Sequence, residues 1–137
     1  MNTKQILTII IPVYNEAKFI EELYSRVISV KIPSNLSKEV IIIDDNSNDG
    51  TNEIINRFSN NNTMILKQKK NSGKGACIKL GLEKASGNII LIQDADLEYD
   101  PEEYPKLLAP IINGKADVVY GSRFKGGEAH RILYYWH

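Results

Sequence analysis

Two carboxylates placed two residues apart at the end of an apolar run are the feature of this sequence best suited to chemistry. Asp94 and Asp96 close the stretch Gly87-Asn88-Ile89-Ile90-Leu91-Ile92-Gln93-Asp94-Ala95-Asp96. Its apolar residues, rich in β-branching, predict a buried strand, and on an extended backbone residues two apart point to the same side. Asp94 and Asp96 can then converge on one hard cation, which takes oxygen ligands and is commonly shared with a substrate's phosphates. At the mouth of an apolar strand such a pair is destabilising unless positive charge lies against it. A pair of capping or turn aspartates would look the same in isolation, so the rest of the chain decides.

Other chemistry-bearing residues also fall just after apolar runs. Tyr14, Asn15 and Glu16 follow the first, Asp44 and Asp45 the second, Gly73-Lys74-Gly75 the third, and Arg123 the fifth. In a parallel sheet all of these gather along the carboxyl edge, where α/β proteins bind ligands. Five such groups on one edge point to a phosphate-bearing ligand held with a divalent metal. Asp44 and Asp45 face opposite sides if the strand continues, so one faces the cleft and the other bonds turn amides. Taken alone, Glu16 reads as a residue favouring a helix N-terminus, Lys74 reads equally as a phosphate cover or a solvated loop lysine, and Arg123 beyond a strand end favours an anion contact. The spacing around Lys74 lacks the final Lys-Ser/Thr of a P-loop, and no G-x-G-x-x-G follows the first strand, which counts against a dinucleotide enzyme. His130 and His137 lie outside any metal-ligand spacing.

The elements that must position these groups alternate along the chain. Residues 6–13 form a near-continuous apolar run, the mark of a strand covered on both faces, closed by Pro12. Lys4 before that run imitates a secretory leader, but the run is short and β-branched and lacks a small-residue cleavage site. Asn15 is the expected cap of a helix carrying Ile20, Leu23, Val27 and Ile28, which Pro33 and the polar residues 34–38 break. Residues 40–43 are the second strand. Asp49 or Thr51 caps a short helix with Ile54, Ile55 and Phe58, and residues 64–66 form a third strand. A helix with Cys77, Leu80 and Leu82 follows and stops at Gly87. Asp100-Pro101-Glu102-Glu103 is a strong helix start, and Pro105 and Pro110 should bend or break that helix. Residues 117–120 are the fifth strand, and 128–137 look like the opening of another helix. Its Arg131, Tyr134, Tyr135 and Trp136 suggest either an interfacial surface in peripheral contact with a membrane or an uncovered core face. Strand–helix alternation argues for an α/β, mostly parallel, Rossmann-like sheet with helices on both faces.

Bulk properties narrow the classes further. The 137 residues fit one domain, and 17 basic against 17 acidic residues leave no net charge to recruit nucleic acid. The single cysteine, Cys77, excludes an internal disulfide and fits a reducing compartment; on an apolar helix face it reads as a small buried hydrophobe. No apolar stretch reaches membrane-spanning length.

In order along the chain, Ile11-Pro12-Val13-Tyr14-Asn15-Glu16, Asp44-Asp45-Asn46-Ser47-Asn48-Asp49-Gly50-Thr51, Asn71-Ser72-Gly73-Lys74-Gly75, Gln93-Asp94-Ala95-Asp96-Leu97-Glu98 and Gly121-Ser122-Arg123-Phe124 resemble the motifs of family two glycosyltransferases. The likeness is greatest to the dolichyl- or polyprenyl-phosphate mannosyl- and glucosyltransferase branch. The resemblance implies a GT-A fold and transfer of a sugar, with inversion, from a GDP- or UDP-linked donor. It implies that Pro12, Tyr14, Glu16, Ile43 and Asp45 hold the base and ribose. It further implies that Asp94, Ala95 and Asp96 form the metal- and diphosphate-binding motif with Mg²⁺ or Mn²⁺, and that Arg123 contacts donor or phosphate. Lys74 joins this donor-binding set, and Asp94, Asp96 and Arg123 are the expected catalytic group. The whole chain, 1–137, is expected to be the nucleotide-sugar-binding part of a C-terminally truncated GT-A domain, its acceptor part missing, and inactive by itself. The leading acceptor is a polyprenyl phosphate, with the reaction in the cytoplasm at the cytoplasmic face of the membrane. Two other readings stay open: a polysaccharide-type enzyme with a sugar hydroxyl acceptor, and a non-catalytic nucleotide-sugar-binding fragment.

Overall fold

The structure, a computed structural model, describes residues 5–117, 119–122 and 132–136. Its elements run β1 (Gln5–Val13), α1 (Ile20–Ser29), β2 (Leu36–Asp44), α2 (Thr51–Asn56), β3 (Thr63–Lys67), α3 (Lys74–Lys84), β4 (Ile89–Ile92), a 3-10 turn (Pro101–Glu103), α4 (Tyr104–Ile112), β5 (Val119–Ser122) and β6 (Ile132–Trp136). The strands form one sheet in the order β3-β2-β1-β4-β6-β5. β1 pairs in parallel with β2 and β4, and β2 with β3. The expected architecture is therefore present, with one exception.

The exception is β6. The expectation of a helix over 128–137 is overturned for the residues described: Ile132–Trp136 is a strand inserted between β4 and β5 and antiparallel to both. Ile-Leu-Tyr-Tyr-Trp is rich in the branched and aromatic residues that suit a pleated surface, and pairing on both sides satisfies backbone groups that a short helix would leave partly unmet. Arg131, His130 and His137 lie outside the described residues.

Helices cover both faces. On one, Ile20, Leu23 and Val27 of α1, Ile55 of α2 and Tyr104, Leu108 and Ile111 of α4 pack on Leu7, Ile9, Ile11, Ile42 and Leu91. On the other, α3 brings Cys77 against Ile10, Ile41, Ile43, Ile90 and Ile92. Alternating residues of the fully buried strands β1 and β2 thus feed two cores, which is why those strands read as unbroken apolar runs. α3 lies so close that a Cβ on Gly81 would sit 2.8 Å from Ile10 Cγ2 and 3.1 Å from Ile43 Cδ1.

Several local expectations need correction, among them the cap of α2, which is Gly50 and not Asp49 or Thr51, with no side-chain cap bond. β2 begins at Leu36, inside the segment read as a polar break. Its polar residues have partners there: Lys38 Nζ donates to the carbonyls of Ile28 and Val30 at the end of α1, and Glu39 accepts from Thr8 Oγ1 at 2.8 Å. Asn15 does not cap α1, whose first turn starts at Phe19 without a side-chain cap. Gly87 does not stop α3, which ends at Lys84 with extended Ala85 following; it is needed because a Cβ there would meet Thr8 Oγ1 at 2.3 Å and the Ile6 carbonyl at 2.8 Å. The proline-bearing segment divides just before Pro105, into the 3-10 turn capped by Asp100, whose Oδ1 accepts from Glu102 N at 3.0 Å, and α4, whereas Pro110 lies inside α4 without ending it, contrary to expectation.

Candidate active site

At the carboxyl edge of the sheet the strand exits are laced together before any ligand arrives. Asn15 sits in the left-handed region at φ +51°. Its N–H donates to Ser47 Oγ at 2.8 Å and its Oδ1 accepts from Asn48 N at 2.9 Å, which ties the end of β1 to the turn after β2. Glu16 N donates to Thr51 Oγ1 at 3.0 Å, and Ala17 N to Asp49 Oδ2 at 3.2 Å. Burial opposes ionisation of Asp49, but hydrogen bonds from Thr51 and Ala17 outweigh it and hold the carboxyl below its usual range.

The two aspartates after β2 divide as expected. Asp44 is fully buried and its Oδ1 accepts from the turn amide of Ser47 at 3.0 Å. Asp45 turns to the cleft, and its two oxygens accept from Ser72 N and Gly73 N, each at 2.8 Å. That fork fixes the loop before α3, where Gly73 has φ +95°, a conformation that favours glycine. Lys74 is the first residue of α3, and its ammonium reaches across to donate to Asp94 Oδ1. The positive charge expected against the strand-end carboxylates is thus supplied by the chain itself.

These residues surround one cleft of about 200 Å³, lined by Pro12, Val13, Tyr14, Glu16, Asp45, Lys74, Cys77, Asp94, Ala95 and Asp96. Ile43 does not line it; its side chain is buried under α3. Arg123 lies outside the described residues. Two lining residues escaped the sequence reading as site members, Val13 and Cys77. The signal for Cys77 was available, because it stands three residues after Lys74 on the same helix face. Burial pushes the Cys77 thiol up to about 11, with the Asp45 carboxylate adding to the effect, so it is a neutral wall of the cleft and no nucleophile.

The donor set suits a hard divalent ion. Both strand-end groups are carboxylates, and among the described residues no cluster of three or more His, Cys, Asp or Glu is placed to hold a metal. Asp94 and Asp96 would leave most of a coordination sphere to phosphate oxygens and water, the manner in which Mg²⁺ is usually bound.

The sequence pattern of the family described as Glycosyl transferase family 2 matches residues 8–134. The chain belongs to this family. Within it, the chain is 35% identical over 131 residues to a dolichol-phosphate mannosyltransferase of Pyrococcus furiosus, covering 94% of this chain and 36% of that protein. It is 34% identical over 113 residues to an undecaprenyl-phosphate 4-deoxy-4-formamido-L-arabinose transferase of Aeromonas hydrophila, covering 80% and 35%. Among solved structures it resembles S. aureus TarS in complex with UDP, at 27% identity and TM-score 0.75 over 91% of this chain and 38% of that one. It also resembles the mannosyltransferase PcManGT of Pyrobaculum calidifontis in complex with GDP-Man and Mn²⁺, at 29% identity and TM-score 0.62 over 71% and 29%. The family two chain has the GT-A fold of these glycosyltransferases, and it spans about a third of the length of the curated relatives it matches.

Proposed function

We propose that this chain is the donor-binding part of an inverting glycosyltransferase that moves a sugar from a nucleoside-diphosphate sugar to a polyprenyl phosphate. One observation carries the reading: Asp94 and Asp96 share a cleft with Tyr14, Glu16 and Asp45, and a cation of the chain already rests on Asp94. The dolichol-phosphate and undecaprenyl-phosphate transferases among the relatives support the acceptor class, and the ligands of the neighbours, UDP and GDP-Man, the donor class.

In this reading Pro12, Tyr14, Glu16 and Asp45 take the base and ribose, with Ile43 holding its strand in place beneath them. Asp94, Ala95 and Asp96 take the diphosphate with Mg²⁺ or Mn²⁺. When bound, the ion neutralises charge that builds on the departing nucleoside diphosphate. Lys74 leaves Asp94 and covers the diphosphate, and Arg123 makes a second anion contact. The chain's own contribution is to hold the anomeric carbon in line with the acceptor oxygen. A new bond forms to that oxygen as the bond to the diphosphate breaks, and the electron pair leaves with the diphosphate. A phosphate acceptor is already an anionic nucleophile, so the site needs no strong general base. Such an acceptor places the reaction at a membrane surface, which this reading assigns to the cytoplasmic face; among the described residues no helix is long and apolar enough to cross a membrane.

Calorimetry with UDP and with GDP, each with and without Mn²⁺, tests the donor site. Binding that strengthens at least tenfold with the ion is expected. Absence of metal-dependent binding for both nucleotides overturns the reading.

A further inference from the structure

The loop that carries both carboxylates is anchored from below by a buried amide. Gln93 follows β4 immediately, and its N–H donates to the Ile10 carbonyl at 2.9 Å, one step beyond the β1–β4 pairing. Its side chain is fully buried. A buried amide is destabilising unless its donors and acceptor are met, and here they are met by the loop itself. Gln93 Nε2 donates to the Asp94 carbonyl at 2.9 Å and to the Tyr99 carbonyl at 3.3 Å. Gln93 Oε1 accepts from Tyr104 Oη at 2.6 Å. Tyr104 is fully buried at the start of α4, and burial pushes its phenol well up from the ordinary value, so it stays a donor at any physiological pH.

We infer that Gln93 and Tyr104 are positioning residues that pin the two ends of the Asp94–Tyr99 loop to the sheet and to α4, and so set the aim of Asp94 and Asp96 at the diphosphate–metal position. The amide reaches the carbonyls at both ends of a six-residue loop; Asp94 is the first of these ends and Asp96 lies between them. The loop holds a conformation that calls for such support: Leu97 sits in the left-handed region at φ +65°, and Glu98 N turns back to Asp96 Oδ1 at 3.1 Å. Neither residue touches the cleft, and each acts through Asp94 and Asp96 only. The amide is required in kind as well as size. A carboxylate at 93 has no donor for two carbonyls, and an apolar residue has neither donor nor acceptor.

This inference rests on the donor-site reading, and its test separates the two. Tyr104→Phe keeps the ring and removes the hydroxyl that donates to Gln93 Oε1; Gln93→Met keeps the volume and removes the amide's bonds to the Asp94 and Tyr99 carbonyls as well. In the full chain, Mn²⁺-dependent nucleoside-diphosphate affinity should fall about tenfold in Tyr104→Phe, in the range seen when groups supporting metal ligands are lost. Binding of the same nucleotide without Mn²⁺ should not move. Gln93→Met should lose at least as much metal-dependent affinity, and amide exchange over residues 94–99 should be faster in both variants with no ligand present. If either folded variant keeps the metal-dependent affinity of the unmodified chain, the pair is merely part of the core and the inference is overturned. If the unmodified chain binds no nucleotide with Mn²⁺, the donor-site reading fails instead; hydrogen exchange still decides the anchor, and unchanged exchange in the variants overturns it.

Discussion

The two ends of the sheet each hold a carboxylate, half-buried at the amino end and buried at the carboxyl end, and they treat it in opposite ways. At the amino end Glu39 is wrapped by its neighbours: Thr8 Oγ1 and Ser86 N donate to Oε1, Ser86 Oγ donates to Oε2, and Gly87 N in turn donates to Thr8 Oγ1 at 2.9 Å. At the carboxyl end Asp94 faces a cleft with a long, rotatable lysine laid against it. Backbone strain follows the same division. The three non-glycine residues with left-handed φ among the described residues, Asn15, Asn46 and Leu97, all lie just beyond the carboxyl ends of strands. Glu39 is thus held by donors of its neighbours in the fold, whereas Asp94, the carboxylate proposed to meet the metal, is balanced by a charge on a long stem that can swing away. Strain gathers where a binding geometry must be held.

If that contrast is real, substitutions at one end should damage binding and spare stability, and those at the other should do the reverse. The largest effect is expected from Asp94→Asn or Asp96→Asn. Mn²⁺-dependent nucleoside-diphosphate affinity should fall by about a hundredfold or more, beyond the loss expected when only a supporting group is removed, with the melting temperature nearly unchanged; a folded variant with near-normal metal-dependent affinity would break the comparison. Next comes Gly87→Ala, where the new Cβ meets a hydroxyl and backbone at the amino end. Denaturant unfolding should show a loss of about 3 kcal/mol, with nucleotide affinity retained wherever the variant is folded.

Glu39→Ala should cost about 1 kcal/mol, because the buried Thr8 hydroxyl and the exposed Ser86 lose a half-buried acceptor. Burial opposes ionisation of Glu39, but the hydrogen bonds from Ser86 and Thr8 prevail and lower its pKa. A lowered folded-state pKa gives stability that is present above the ordinary glutamate value, about 4.3, and lost as pH falls below it. Acid titration of stability should therefore be steeper in the unmodified chain than in Glu39→Ala. Lys74→Ala, at the other end, should weaken diphosphate binding about tenfold, the worth of one charge-assisted contact, and leave nucleoside binding alone; isothermal titration reads both. The smallest effect is a negative one. Cys77, buried and raised to about 11, should resist a thiol reagent such as dithiobis-nitrobenzoate in the folded protein and react on unfolding.

Much of this plan was legible in the chain, and the exceptions share a cause. Apolar runs, turn residues and Asp94-x-Asp96 spacing are local features, so four parallel strands, helices on both faces and the gathering of polar groups at one edge could be read without coordinates. Alternation on a strand is also local, so it was legible that one of Asp44 and Asp45 faces the cleft, and the family resemblance named Asp45. The start of β2 was missed because Ser37, Lys38 and Glu39 look like a loop until Thr8, Ser86 and the end of α1 supply partners 8 to 47 residues away. Gln93 read only as part of a motif, since its partners in α4 and across the loop carry no periodic signature. β6 was misread for the same reason: a short aromatic run shows neither its antiparallel direction nor its place between two earlier strands.

That place has a consequence for synthesis. β4 stands beside β1 early, but its other flank stays bare until residues 132–136 emerge, after β5. A nascent chain leaving the ribosome therefore displays the strand that leads into Asp94 as an open template, the geometry that invites a stray polypeptide to add itself. Shortening the chain ahead of residue 132 makes that transient condition permanent, and such a piece should be recovered as aggregate.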